Sequence, residues 1–146
     1  MNKDVIISIK GTESLIEDND IDNIELVTEG KYYKKGNKHY FSYSETEEMT
    51  GFENTQTTLK IDGDTVSITR FGEINSHMVF KEGEKHLGHY ETPFGSFTVG
   101  ITSDSVIVDM GEKTGNINIK YTLEIDNSAK ALHSLQLSIR EACQTA

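Results

Sequence analysis

The stretch TLKIDGDTVSI, residues 58–68, decides the fold class. Asp62-Gly63 separates TLKI from DTVSI, and both residues of such a pair can take the positive φ that a two-residue hairpin needs. Beyond the turn, Val66 and Ile68 alternate with Thr65, Ser67 and Thr69. This period of two marks a strand with one apolar and one wet face, and the tight turn makes its neighbour antiparallel. The same alternation sets Val5, Ile7 and Ile9 against Ile6, Ser8 and Lys10. It also sets Ile117, Ile119, Tyr121, Leu123 and Ile125 against Asn118, Lys120, Thr122 and Glu124.

Further turns are expected at Gly36-Asn37, Glu82-Gly83-Glu84, Gly115-Asn116 and Asp126-Asn127-Ser128. Between them the pattern predicts strands near 4–16, 22–34, 38–46, 54–61, 65–71 and 73–81. Others follow near 86–92, 94–101, 104–110, 116–125 and 130–140. The last is ambiguous, because Leu132, Leu135 and Ile139 fit helical spacing while His133, Leu135, Leu137 and Ile139 fit a strand. The strand is preferred because a tight turn joins it to the clear strand over 116–125.

Short strands in succession without a crossover helix form a meander, and a large twisted meander tends to close because closure removes both sticky edges. The expectation is therefore an all-β single domain over 1–146: a closed antiparallel up-and-down β-barrel of about 8–10 strands. A sandwich is the alternative. Pro93, the sole proline, lies within HYETPFGSFTVG (89–100). Proline lacks the N–H that a ladder uses, and Thr92 before it is biased towards extended geometry. TPFG is thus read as a barrel corner that interrupts the ladder while the chain stays extended, with Gly95 easing the bend.

Composition narrows the function classes. A lone cysteine, Cys143, allows no internal disulfide, and the opening MNKDVIISIKG holds an apolar run too short for a secretory or membrane segment. A soluble cytoplasmic protein with no membrane partner is expected. The net charge of −10 repels phosphate backbones. KYYKKGNKHY (31–40) is locally basic, but its lysines flank a Gly-Asn turn and read as a solvated hairpin end, so no nucleic-acid partner is expected.

A family likeness runs through the chain. Gly30-x-Tyr32-Tyr33, Arg70-x-Gly72, Phe80, Tyr90-x-Thr92-Pro93-Phe94-Gly95 and Tyr121-x-Leu123 together resemble the YwiB-like family of small bacterial proteins. The resemblance spans roughly residues 4 to 140 and implies a calycin, or lipocalin-like, closed barrel of uncharacterised function. It supplies no site residues. The chain has no tryptophan, so the Gly-x-Trp signature of true lipocalins is missing.

Candidate site residues come from faces. Arg70 continues the inward face of Val66 and Ile68, and a planar guanidinium there can bind a ligand carboxylate bidentately. Tyr121 and His133 continue the apolar faces of the last two strands, so the three could meet inside the barrel. Each also has a structural reading: a rim or ion-paired arginine, and a satisfied core histidine.

Other constellations dissolve on inspection. His86 and His89 point to opposite sides of a strand and cannot readily share a metal. Asp18, Asp20, Asp22 and Glu29 imitate a calcium loop, but Asn23 stands where glycine is needed and Glu25 where an apolar residue is needed. GEKTG (111–115) lacks the spacing of a phosphate loop, and no Gly-x-Ser-x-Gly elbow occurs. Cys143, near the terminus, reads as tail rather than nucleophile.

No catalytic residue, metal or cofactor is expected. The residues favour a non-enzymatic module binding a small apolar or carboxylate-bearing molecule, as a monomer or homodimer. The alternative is an interaction or scaffold barrel whose aromatics fill the core.

Overall fold

A computed structural model of the protein describes residues 3–15, 21–45, 55–93, 95–111, 114–125 and 129–141. These residues form β1 (Lys3–Leu15), β2 (Ile21–Lys35), β3 (Lys38–Glu45), β4 (Thr55–Asp62) and β5 (Thr65–Phe71). The second half comprises β6 (Asn75–Phe80), β7 (Lys85–Thr92), β8 (Gly95–Met110), β9 (Thr114–Ile125) and β10 (Ala129–Glu141). Each strand pairs with the next, and β1 pairs antiparallel with β10, so the sheet closes into an up-and-down barrel. The expected fold class holds, and the sandwich and the helical reading of 130–140 do not. In β10 Leu137 and Ile139 are buried while Leu132 is 48% exposed, the alternation of a strand.

Turn chemistry sets the register. Lys35 pairs with Lys38 and Asp62 with Thr65, which leaves two-residue loops at Gly36-Asn37 and Gly63-Asp64. Gly36 (φ 62°) and Gly63 (φ 63°) occupy the left-handed region that a hairpin of this length requires. The second loop lies one residue later than the Asp62-Gly63 reading, because Asp62 remains in the ladder.

The turn expected at Gly115-Asn116 falls earlier, because both residues are paired within β9. Two larger expectations are also corrected. Residues 94–101 and 104–110 are not separate strands; β8 runs through both. Ser103 opposes Tyr121 and Ser105 opposes Lys120, so Asp104 is the extra residue of a β-bulge. Before the bulge Val99, Ile101 and Ser103 are buried; after it Val106, Val108 and Met110 pack against the core. The one-residue insertion reverses the parity of the inward face, which makes one strand look like two in the sequence. Backbone groups near the bulge are met by the β6–β7 turn. Gly83 N donates to Ser103 O (2.9 Å), Ser103 N to Glu84 O (3.0 Å), and Val106 N to Glu82 Oε1 (3.3 Å).

The second correction concerns Pro93. Thr92 pairs with Gly95, so the chain reverses between β7 and β8 instead of staying extended. Thr92 Oγ1 donates to Gly95 O at 3.2 Å across this turn. A turn position asks nothing of the missing proline N–H, which reconciles the residue with the sheet. Phe94, part of the corner reading, lies outside the described residues.

The interior is filled at one end. Val5, Phe41, Leu59, Ile61, Val66, Phe80, Ile117 and Ile139 are buried towards the β2–β3, β4–β5, β6–β7 and β8–β9 turns. Burying each such side chain contributes about 1.5–3 kcal/mol. Outside, Lys3–Glu141 (2.8 Å) links the neighbouring strands β1 and β10 and Lys85–Glu124 (3.4 Å) reaches from β7 across β8 to β9, with small expected effect at the surface. The lysines of 31–40 behave as a solvated hairpin end, where Lys31 pairs with Asp4 and Lys38 lies 4.0 Å from Asp62.

The bulge makes a direct prediction. Deleting Asp104 should turn Val106, Val108 and Met110 out of the barrel, abolishing a cooperative urea transition. A deletion variant with wild-type midpoint and slope would show that the bulge does not set the parity of β8.

Candidate functional site

Towards the other end, which carries the β1–β2, β3–β4, β5–β6, β7–β8 and β9–β10 connections, the interior opens into a cavity of about 490 Å³. Arg70, Tyr121 and His133, the three residues singled out from the sequence, all line it. Each arrives by strand alternation. Arg70 extends the inward face of β5 beyond Val66 and Ile68, Tyr121 that of β9 beyond Ile117 and Ile119, and His133 precedes Leu135 and Leu137 on β10.

Register arranges these residues into two polar groups. Arg70 is flanked by Thr57 of β4 and Ser76 of β6. Tyr121 is flanked by Ser103 of β8 and His133 of β10, and His133 is opposed by Glu13 of β1. The circular strand order puts β5 and β10 equally far apart by either route, so Arg70 and His133 stand on facing walls, with Tyr121 of β9 beside His133. The rings of Tyr121 and His133 stack with centroids 4.9 Å apart and planes 6° apart, and Phe80 packs on Tyr121 at 4.8 Å.

Burial shapes the electrostatics. Desolvation pushes the Tyr121 phenol up to about 12; the Arg70 guanidinium opposes that rise, while Glu13 and Tyr90 add to it. Tyr121 is therefore a neutral hydroxyl at pH 7, able to donate. Burial lowers the pKa of His133, and the Glu13 carboxylate counters this only in part. Among the described residues the buried atoms Thr57 Oγ1, Ser76 Oγ, Ser103 Oγ and His133 Nε2 have no hydrogen-bond partner. Thr55 Oγ1 shares that state on β4. An unpaired buried group costs about 1–3 kcal/mol, and of these residues it is His133 that lines the cavity.

The rim differs in character. Ile24, Phe97 and Ile125 also line the cavity and remain 44%, 39% and 37% exposed. The cavity thus sets Arg70, Tyr121 and His133 in a largely apolar wall, with an apolar collar at Ile24, Phe97 and Ile125.

Thr57, Ser76, Ser103, Glu13 and Phe97 escaped the reading from sequence. A partial signal existed: Thr57 precedes Leu59 and Ile61, Ser76 precedes Met78 and Phe80, and Ser103 follows Val99 and Ile101 on inward faces. Which of them neighbour Arg70 or Tyr121 depends on register between strands, which alternation alone does not give. Among the described residues no group of three or more His, Cys, Asp or Glu side chains is placed to hold a metal. His86 pairs with Glu84 (3.1 Å) and His89 with Glu91 (2.8 Å). In the acidic run, Asp22 and Glu29 belong to strand β2 rather than to a helix-flanked loop. Asp18 and Asp20 lie outside the described residues, as do Cys143 and, within GEKTG, Glu112 and Lys113.

Three comparisons bear on this barrel. A family model described as "Domain of unknown function (DUF1934)" matches residues 7–137. A Bacillus subtilis (strain 168) protein named "Uncharacterized beta-barrel protein YwiB" is 25% identical over 138 residues, covering 94% of this chain and 95% of its own. The crystal structure of ywiB protein from Bacillus subtilis superposes with a TM-score of 0.85 at 24% identity, over 97% of this chain and 94% of that one. The fold is thus shared along nearly the whole length, and the resemblance read from the sequence holds.

Titration of His133 offers a check on the site. With its folded pKa lowered, the unfolded chain takes up a proton that the folded barrel resists. The stabilisation from neutral His133 is full above the ordinary histidine value of about 6.5 and is lost as pH falls through the lowered value. The urea midpoint of the wild type should therefore fall more steeply from pH 7 to pH 5 than that of His133→Gln. Parallel slopes would contradict a histidine held neutral by burial.

Proposed function

The chain belongs to the DUF1934 family, and we propose that this member is a non-enzymatic, lipocalin-like module that holds one small apolar or carboxylate-bearing molecule in its barrel. The observation that supports this most strongly is the cavity of about 490 Å³, whose wall brings Arg70, Tyr121 and His133 together. Ligand sites of about 300–1,000 Å³, mostly apolar with a few convergent polar groups, are the usual scale for small-molecule binding. Arg70 serves as the charged anchor, Tyr121 as a neutral donor, and His133 as the adaptable partner whose Nε2 is unsatisfied.

A binding role fits the chemistry better than catalysis. A general base needs a pKa near the working pH and hydrogen-bond reach to a nucleophile. Tyr121, at about 12, is far from that range. We read the protein as cytoplasmic, on the strength of its single cysteine, Cys143. Its charge of −10 argues against nucleic acid as a partner. Among the described residues no helix is long and apolar enough to cross a membrane. The alternative, an interaction barrel with a filled core, draws support from one end only, where Phe41 and Phe80 are wholly buried.

Gly11 supplies the test. A Cβ there would meet only Ser134 O at 3.9 Å and Leu135 Cδ1 at 4.0 Å, ordinary contacts, so a larger side chain can occupy the cavity without disturbing the backbone. The neutral fluorophore N-phenyl-1-naphthylamine should brighten on binding the wild type, and Gly11→Leu should weaken that binding at least tenfold with an unchanged urea midpoint. Equal binding by both proteins, or none by the wild type, would defeat the proposal.

A further inference from the structure

Resting on the binding reading, we infer that the ligand is an amphipathic carboxylate that enters head first, its carboxylate bridging Arg70 on one wall and the Tyr121–His133 pair on the other. The binding reading alone leaves apolar and acidic molecules equally admissible. The distribution of polarity in the cavity separates them.

Polar groups in the cavity wall select against a purely apolar guest. Arg70, Tyr121 and His133 line the cavity, and His133 Nε2 is buried without a partner. A hydrocarbon pressed against these groups would leave the imidazole nitrogen unsatisfied and would further desolvate the guanidinium. A carboxylate has about four lone-pair sites and can accept from several donors at once. The guanidinium carries five N–H donors in a planar fork, enough to bind a carboxylate alongside its existing interaction. The neutral Tyr121 hydroxyl donates, and His133 can adopt the tautomer protonated at Nε2.

The sign of the ligand follows from where the charges lie. The cation, Arg70, is partly buried in the cavity wall, whereas the acid that lines the same cavity, Glu13, is exposed. A cationic head seated beside Tyr121 and His133 would have to approach the guanidinium. An anionic head meets the opposite situation.

The orientation follows from the collar. Ile24, Phe97 and Ile125 keep between 37% and 44% of their surface in water around the cavity. An apolar body extending outward from a seated carboxylate would cover them. The reverse pose would place hydrocarbon on Arg70, Tyr121 and His133 and a charge against three apolar side chains.

The experiment compares two probes of equal chain length, decanoate and 1-decanol, as competitors for bound N-phenyl-1-naphthylamine. Decanoate should displace the fluorophore at least tenfold more effectively, and Arg70→Met should remove that advantage while leaving decanol unchanged. In the wild type, decanoate and not decanol should shift the ¹⁵N resonance of His133 Nε2, a readout that does not depend on any variant folding. Equal or better competition by decanol, or a His133 resonance unmoved by saturating decanoate, overturns the head-first assignment and leaves the binding reading intact. Failure of the fluorophore and both probes to bind overturns the two together.

Discussion

Everything in this molecule depends on the pairing of its first strand with its last. β1 and β10 run antiparallel from Val5–Glu141 to Leu15–Ala131, with Ile7 opposite Ile139 and Ile9 opposite Leu137 on the inward face. Without that ladder the sheet has two open edges and no enclosed interior, so neither a core nor a cavity exists. Cross-strand apolar pairs of this kind add to the backbone hydrogen bonds, and both are interior contacts. The closure joins opposite ends of the chain, as the Lys3–Glu141 contact shows, so it has to be made across nearly the full sequence. Contacts of such separation are slow to form, which makes closure the natural late step of folding.

Closure by ten strands creates a second constraint, because barrel diameter grows with strand number. Eight-stranded barrels already leave room for side chains or one small ligand, and a wider one must be filled deliberately. This protein fills one end with Phe41, Phe80 and branched aliphatics and sets Gly11 in the wall of the other. The void is a consequence of residue choice rather than of geometry. At Gly11 the nearest atoms would stand 3.9 Å from a Cβ, so a larger residue fits where none is used. At Gly30, by contrast, a Cβ would lie 2.7 Å from Ser42 O and 2.8 Å from Ile7 Cδ1, and the glycine is required for close packing. Two glycines on inward faces thus mean opposite things.

Much of this was legible in the chain because a closed antiparallel sheet writes its interior as period two. The inward faces of β1, β5, β9 and β10 could be read directly, and with them Arg70, Tyr121 and His133. What alternation cannot convey is a single-residue event. Asp104 inverts the parity of β8 by insertion, and no residue type announces a bulge unless glycine is used for it. Pro93 was misassigned for a related reason: a missing N–H suits a strand corner and a turn equally, and only the Thr92–Gly95 pair distinguishes them. The neighbours of the site residues were hidden for a third reason. Thr57, Ser76 and Ser103 are unremarkable within their own strands and acquire meaning only when register sets them beside Arg70 and Tyr121.

Those neighbours bear on what the cavity is for. A barrel shaped for stability alone would continue its inward faces with valine or isoleucine, since each hydroxyl left unpaired in the interior costs about 1–3 kcal/mol. Instead, the inward faces carry Arg70, Tyr121 and His133 into the cavity wall, with the buried hydroxyls of Thr57, Ser76 and Ser103 next to them in register. Water can satisfy polar groups in a cavity of this size. Displacing ordered water gains affinity only when the incoming group reproduces its hydrogen bonds, and loses it when a hydrocarbon takes that place. A head group that matches Arg70, Tyr121 and His133 would release such waters while keeping their bonds, and its apolar body would dry the collar formed by Ile24, Phe97 and Ile125. The same residues that weaken the empty barrel therefore select what can occupy it.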